Sequence, residues 1–147
     1  MIARMFLSDV ARACCLGIAL IVVGCGTGPD TVPATGEVLF PDGTPLTAGQ
    51  VEFRSSDASV PPARGVIGKD GKFRLAVSAE RDGAVPGEYR AIVVPEAPDE
   101  FGPDSRVSAQ RIDPKYMDYK TSGLKFTVTD NPEKNHFQIR VQRLSRS

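Results

Sequence analysis

Lys69-Asp70-Gly71-Lys72-Phe73-Arg74-Leu75-Ala76-Val77 decides the fold. Asp-Gly is a strong signal for a tight hairpin turn, because glycine takes the positive φ that the turn requires. The residues after it alternate. Phe73, Leu75 and Val77 fall on one face and Lys72, Arg74 and Ala76 on the other. A period of two is the spacing of a β-strand with one buried face. Arg64 to Ile67 supplies the strand on the other side of the turn.

Working outward, the same grammar recurs. Thr35 to Phe40 turns Val38 and Phe40 one way and Glu37 the other, and Pro41 to Pro45 is a turn cluster. Gln50 to Arg54 turns Val51 and Phe53 inward and Glu52 and Arg54 outward. Gly87 to Val94 places Tyr89, Ala91 and Val93 on one face. Its other face carries Glu88 and Arg90 but then Ile92 and Val94, which predicts partial cover on both sides. Leu124 to Thr129 presents Leu124, Phe126 and Val128, and His136 to Arg143 presents Phe137, Ile139 and Val141. Asp130-Asn131-Pro132 turns between them. These segments make seven strands and no amphipathic helix. The expectation is an all-β, seven-stranded antiparallel β-sandwich over residues 35–143. It is Ig-like in architecture but lacks the Cys pair and Trp of true immunoglobulin domains. Residues 95–123 show no period and form a long loop; a structureless stretch of that length in a compact domain is often functional.

The amino-terminal stretch reads as an address. Arg4 and Arg12 flank an uncharged apolar run of 11 residues, Ala13 to Val23, with an atypical Asp9 between the two arginines. A membrane-spanning helix needs about 20 residues, so this run predicts a signal helix and not a span. Val22-Val23-Gly24-Cys25 closes it and resembles the lipobox of bacterial lipoproteins. That resemblance implies a diacylglycerol on the Cys25 thiol and cleavage by signal peptidase II between Gly24 and Cys25. It makes 1–24 a signal peptide and 25–34 a lipidated tether. The tether is Pro/Gly-rich, and its nine residues after Cys25 reach at most about 30 Å. The location implied is the cell membrane or outer membrane, with the domain on the exported side, periplasmic or extracellular. Cys14 and Cys15 would leave with the signal and Cys25 would be blocked by lipid, so no disulfide is expected in the mature chain.

A second resemblance is carried by Val38, Asp42-Gly43-Thr44-Pro45-Leu46, Val51-x-Phe53, Gly71-Lys72-Phe73-x-Leu75 and Pro86-Gly87-Glu88-Tyr89. In that order they look like the carboxypeptidase regulatory-like domain, a transthyretin-like sandwich. Lys115-Tyr116 and Thr121-Ser122-Gly123-Leu124 are similar to a pattern in short planctomycete-type lipoproteins bearing this domain. The resemblance implies a module that accompanies catalytic or carbohydrate-active units without being catalytic itself.

Chemistry-bearing residues are sparse. The chain has 18 basic and 18 acidic residues; removing Arg4, Arg12 and Asp9 leaves 16 and 17, which argues against nucleic acid as a partner. His136 is the single histidine and falls on the polar face of a strand, so no zinc-type ligand set is expected. The histidines and tail of the transthyretin-like hydrolases are missing. Gly24-x-Gly26-x-Gly28 has no strand before it and is not read as a phosphate loop. Ser122 lies outside any Gly-x-Ser-x-Gly elbow. Asp99, Glu100, Asp104, Asp113 and Asp118 match no EF-hand spacing and read as a solvated acidic loop. Tyr116 and Tyr119 are the candidates for a binding loop, as a stacking platform for sugar or, the favoured reading, as pins holding the loop to the sandwich. The expectation is a non-enzymatic module, with no cofactor or metal, anchored by lipid. It would be structural or bind an envelope protein or polysaccharide. The alternative is a small envelope enzyme or calcium-dependent module using the 95–123 loop.

Overall fold

The computed structural model describes residues 29–96 and 111–144. The signal stretch, Gly24, Cys25 and residues 97–110 of the long loop lie outside the described residues. The strands are β1 (Thr35–Leu39), β2 (Gln50–Ser55), β3 (Ala63–Val66), β4 (Lys72–Arg74), β5 (Ala76–Ser78), β6 (Arg81–Asp82), β7 (Gly87–Val94), β8 (Lys125–Val128) and β9 (His136–Arg140). They form a three-stranded sheet in the order β4-β1-β9 and a six-stranded sheet in the order β6-β5-β3-β2-β7-β8. One apolar core links them, so the all-β sandwich is the architecture.

Two details differ from expectation. Among the described residues nine strands stand where seven were predicted. Lys72 to Val77 is not one strand: β4 pairs with β1 in one sheet, and β5 pairs with β3 in the other. The chain changes sheets at Leu75, whose side chain is fully buried at the crossing. The other addition, β6, is a two-residue strand between β5 and β7, paired with β5 across a register shift. The sandwich is also not wholly antiparallel, because β1 and β9 run parallel, with Thr35 opposite His136 and Leu39 opposite Arg140. Parallel pairing needs a long crossover, and almost the whole domain lies between these two strands.

Glycine explains why β4 leaves its hairpin partner. The Asp70-Gly71 turn forms as predicted, with Gly71 at φ 78° and its amide donating to Gly68 O. Beyond it, Phe73 is 5% exposed in the core. A Cβ on Gly36 would come within 2.5 Å of the Phe73 ring. A Cβ on Gly65 would come within 2.7 Å of Arg74 O. The two glycines clear the space that lets Phe73 and the β4 backbone enter between the sheets. Phe53, fully buried on β2, lies at the centre of the aromatic packing. Its ring centroid is 5.2 Å from Phe126, 5.6 Å from Phe137 and 6.2 Å from both Phe73 and Tyr89.

The second half of the long loop is built onto the sandwich. Ile112 bridges Arg143, and the Asp113 amide donates to Gln142 O. Pro114–Met117 then forms a 3₁₀ turn whose cap, Asp113, accepts the Lys115 amide. Pro132–Lys134 uses the same device, with Asn131 accepting the Glu133 amide. An Asx cap followed by proline suits a helix start, because proline's missing amide is one that would go unsatisfied there. Asn135 is 1% exposed and fastens the β8–β9 turn. Its side chain accepts the Thr129 amide and donates to Thr129 O and Pro33 O.

Candidate functional site

Gly24 and Cys25 lie outside the described residues, but the first described residues are already tied to the sandwich. Val32 and Ala84 exchange backbone hydrogen bonds of 2.8 and 3.0 Å. The Arg81 guanidinium donates to Pro29 O, and Ala34 is already buried in the core. Residues 32–34, read from sequence as the end of the tether, therefore belong to the domain.

The two candidate tyrosines sit differently. Tyr116, on the Pro114–Met117 turn, is 7% exposed and joins the hydrophobic core, with Lys115 Nζ 4.9 Å from its ring centroid. Tyr119 is half-buried and reaches the outer face of β2. Its hydroxyl donates to Glu52 Oε1 at 2.6 Å. Neither ring is an open platform, because Arg54 lies 4.5 Å over the Tyr119 ring. Tyr119 and Ser122 hold the segment at two points. Ser122 is buried, donates to Ala91 O at 2.7 Å and accepts the Leu124 amide.

Glu52 is the hub of the outer face. Arg54 donates to Oε1 at 2.9 Å and Arg64 Nε to Oε2 at 2.7 Å. Burial pushes this carboxyl up, but the hydrogen bonds from Tyr119, Arg64 and Arg54 outweigh it and leave the group below its ordinary value. Burial, the hydrogen bond to Glu52 and the charge of Glu52 push the Tyr119 phenol well above its ordinary value. A carboxylate held ionised beside a phenol held protonated is a fastening; both groups are tuned away from exchanging protons near neutrality.

The remaining sequence candidates are dispersed. His136 is exposed, and its Nδ1 lies 3.2 Å from Thr35 Oγ1 on the neighbouring strand. Asp113 and Asp118 accept the amides two residues on, Lys115 and Lys120. Asp99, Glu100 and Asp104 lie outside the described residues. Among the described residues no three His, Cys, Asp or Glu side chains are grouped to hold a metal ion, and no helix is long and apolar enough to cross a membrane. Asp42 accepts from the Thr44 hydroxyl and amide and from Arg143, which together lower its pKa to about 2. Arg143 also lies 3.9 Å over the Phe40 ring and closes that end of the core.

One feature of the outer face was not anticipated from sequence. An open groove of about 390 Å³ lies along β7 and β8, lined by Ser56, Glu88, Arg90, Lys125 and Thr127. Register puts Arg54 directly opposite Arg90, and Arg90 directly opposite Lys125. The alternation of each strand shows that these residues point outward. Which strands pair, and in what register, is not carried by alternation, so the row could not be read from the chain.

A scan of known protein families matches none, and neither the curated proteins nor the solved structures contain a match to this chain.

Proposed function

We propose that this chain is a lipid-anchored envelope protein whose β-sandwich is a non-catalytic structural or binding module. The observation that carries the reading is Val22-Val23-Gly24-Cys25 at the end of an apolar run too short to span a bilayer. On this reading Cys25 is the lipidated residue and the mature amino terminus. More than one acyl chain gives stable attachment where one gives only marginal binding. The position of Val32 supports a close tether. Seven chain steps separate it from Cys25, a reach of at most about 25 Å, so the sandwich and its partners work next to the membrane surface. The non-catalytic part is supported by the fastening role of Glu52, Tyr119 and Ser122, the polar groups that tie the long-loop segment to the sheet. Cys25→Ser tests the anchor. The wild-type chain is expected in the membrane fraction, and the variant is expected to accumulate as uncleaved precursor without lipid. Identical processing and fractionation of the two chains would overturn the reading.

A further inference from the structure

We infer that the groove along β7 and β8 binds an anionic carbohydrate, with its acidic group held by Arg90 and Lys125. This deepens the binding-module reading above and rests on it, but it draws on different residues from the anchor. Adjacent strands stand about 4.8 Å apart, so Arg54, Arg90 and Lys125 form a row of three cations about 10 Å long. Like charges directly opposite on neighbouring strands are destabilising, and this sheet carries two such pairs in succession. Arg54 is compensated by Glu52 and by stacking on Tyr119. The side chains of Arg90 and Lys125 are exposed and make no ion pair or hydrogen bond among the described residues. Along the groove these two cations face a single carboxylate, Glu88, and neither is ion-paired to it, so the lining is net positive and suited to an external anion.

The other lining groups favour a sugar as the carrier of that anion. Glu88 and Thr127 lie opposite each other at the next outward positions of β7 and β8, and Ser56 follows the end of β2. Two hydroxyls and a carboxylate offer both acceptors and donors, the complement of sugar hydroxyls. Tyr89 and Phe126 border the groove but turn their rings to the core, where each packs on Phe53. The floor therefore offers no apolar pocket of the kind that anchors a peptide side chain.

Equilibrium binding of polygalacturonate to the purified full-length chain in detergent tests the inference, with neutral dextran and polyglutamate as comparisons. Binding to polygalacturonate, weakening as salt rises, and at least tenfold tighter than to either comparison polymer, is the expected result. The double variant Arg90→Gln, Lys125→Gln is expected to lose at least tenfold in affinity. Its thermal midpoint should be unchanged or raised, since a like-charge contact is relieved. Lys72→Gln, on the other sheet, should bind as the parent does. Undiminished binding by the double variant, equal or tighter binding of polyglutamate, or no binding of polygalacturonate would each overturn the inference. None of these outcomes bears on Cys25, whose processing is read separately.

Discussion

Val51 and Phe53 point into the sandwich from β2, while Glu52 and Arg54, one residue away, point out of it. The inner row is completed by side chains that are almost all apolar and fully buried, from Val51 and Phe53 to Ala91 and Val93. The outer row is completed by one carboxylate serving two arginines and a tyrosine from a segment 67 positions further along the chain. Burial of apolar area is non-directional and large, roughly 1.5–3 kcal/mol for a fully buried large side chain. The outer contacts are directional and individually modest, about 1 kcal/mol net for a typical hydrogen bond. The inner face therefore sets whether the chain folds, and the outer face sets which segments lie where on the folded sheet.

That contrast can be broken most severely from the inside. Phe53→Ala removes the ring shared by four other aromatics and should cost about 3–5 kcal/mol in denaturant unfolding. A loss under about 1 kcal/mol would show that the aromatic cluster is not the centre of the core. Gly36→Ala probes the same face by overfilling it, because its new methyl would lie 2.3 Å from Phe137 O and 2.5 Å from the Phe73 ring. The expected cost is at least about 1–3 kcal/mol, measured in the same way.

From the outside, Tyr119→Phe deletes only the hydroxyl on Glu52 and should cost about 1 kcal/mol. It should also raise hydrogen exchange of the Ser122 and Leu124 amides while the β2 and β7 amides stay protected. Uniformly faster exchange would mean that segment and sheet open as one unit. The pH dependence follows from the three lowered carboxyls, Asp42, Glu52 and Asp57, the last lowered by hydrogen bonds from Ser59. A carboxyl whose pKa is lower in the folded state contributes stability above its unfolded value, and loses it as pH falls through the folded one. Stability should therefore decline in acid, with the Asp42 share lost between about pH 4 and pH 2. Asp42→Asn should flatten that part of the acid limb, and an unaltered limb would remove Asp42 from the account. The smallest effect belongs to Lys72→Ala, whose 3.9 Å contact with Asp70 is exposed on both sides. Less than about 0.5 kcal/mol is expected.

The inner face was legible in the sequence because alternation reports burial residue by residue. Val38, Phe40, Val51, Phe53, Phe73, Leu75, Phe137, Ile139 and Val141 all point where the period places them. The Asp70-Gly71 turn was legible for the same local reason. The strand leaving that turn was not. Its transfer to β1 depends on space beside Gly36 and Gly65, which are distant in sequence. Tyr116 was expected to pin the loop to the sandwich and is buried there, together with Ile112, whereas Met117 on the same turn is 45% exposed. Ile92 and Val94 looked alike from sequence, yet Ile92 is buried and Val94 exposed. The cover over that face ends between them. The Glu52 fastening and the Arg54–Arg90–Lys125 row depend on register across strands and have no signature along the chain.

The sandwich explains how the module holds together, and Val22 to Cys25 carries the proposal for where it works. The mass of the intact protein extracted from membranes of expressing cells tests that proposal most directly. The account predicts a chain beginning at Cys25 and heavier than residues 25–147 by a diacylglycerol, with or without a further acyl group on its amino terminus. A chain beginning at any other residue, or one beginning at Cys25 with no added lipid, would contradict it.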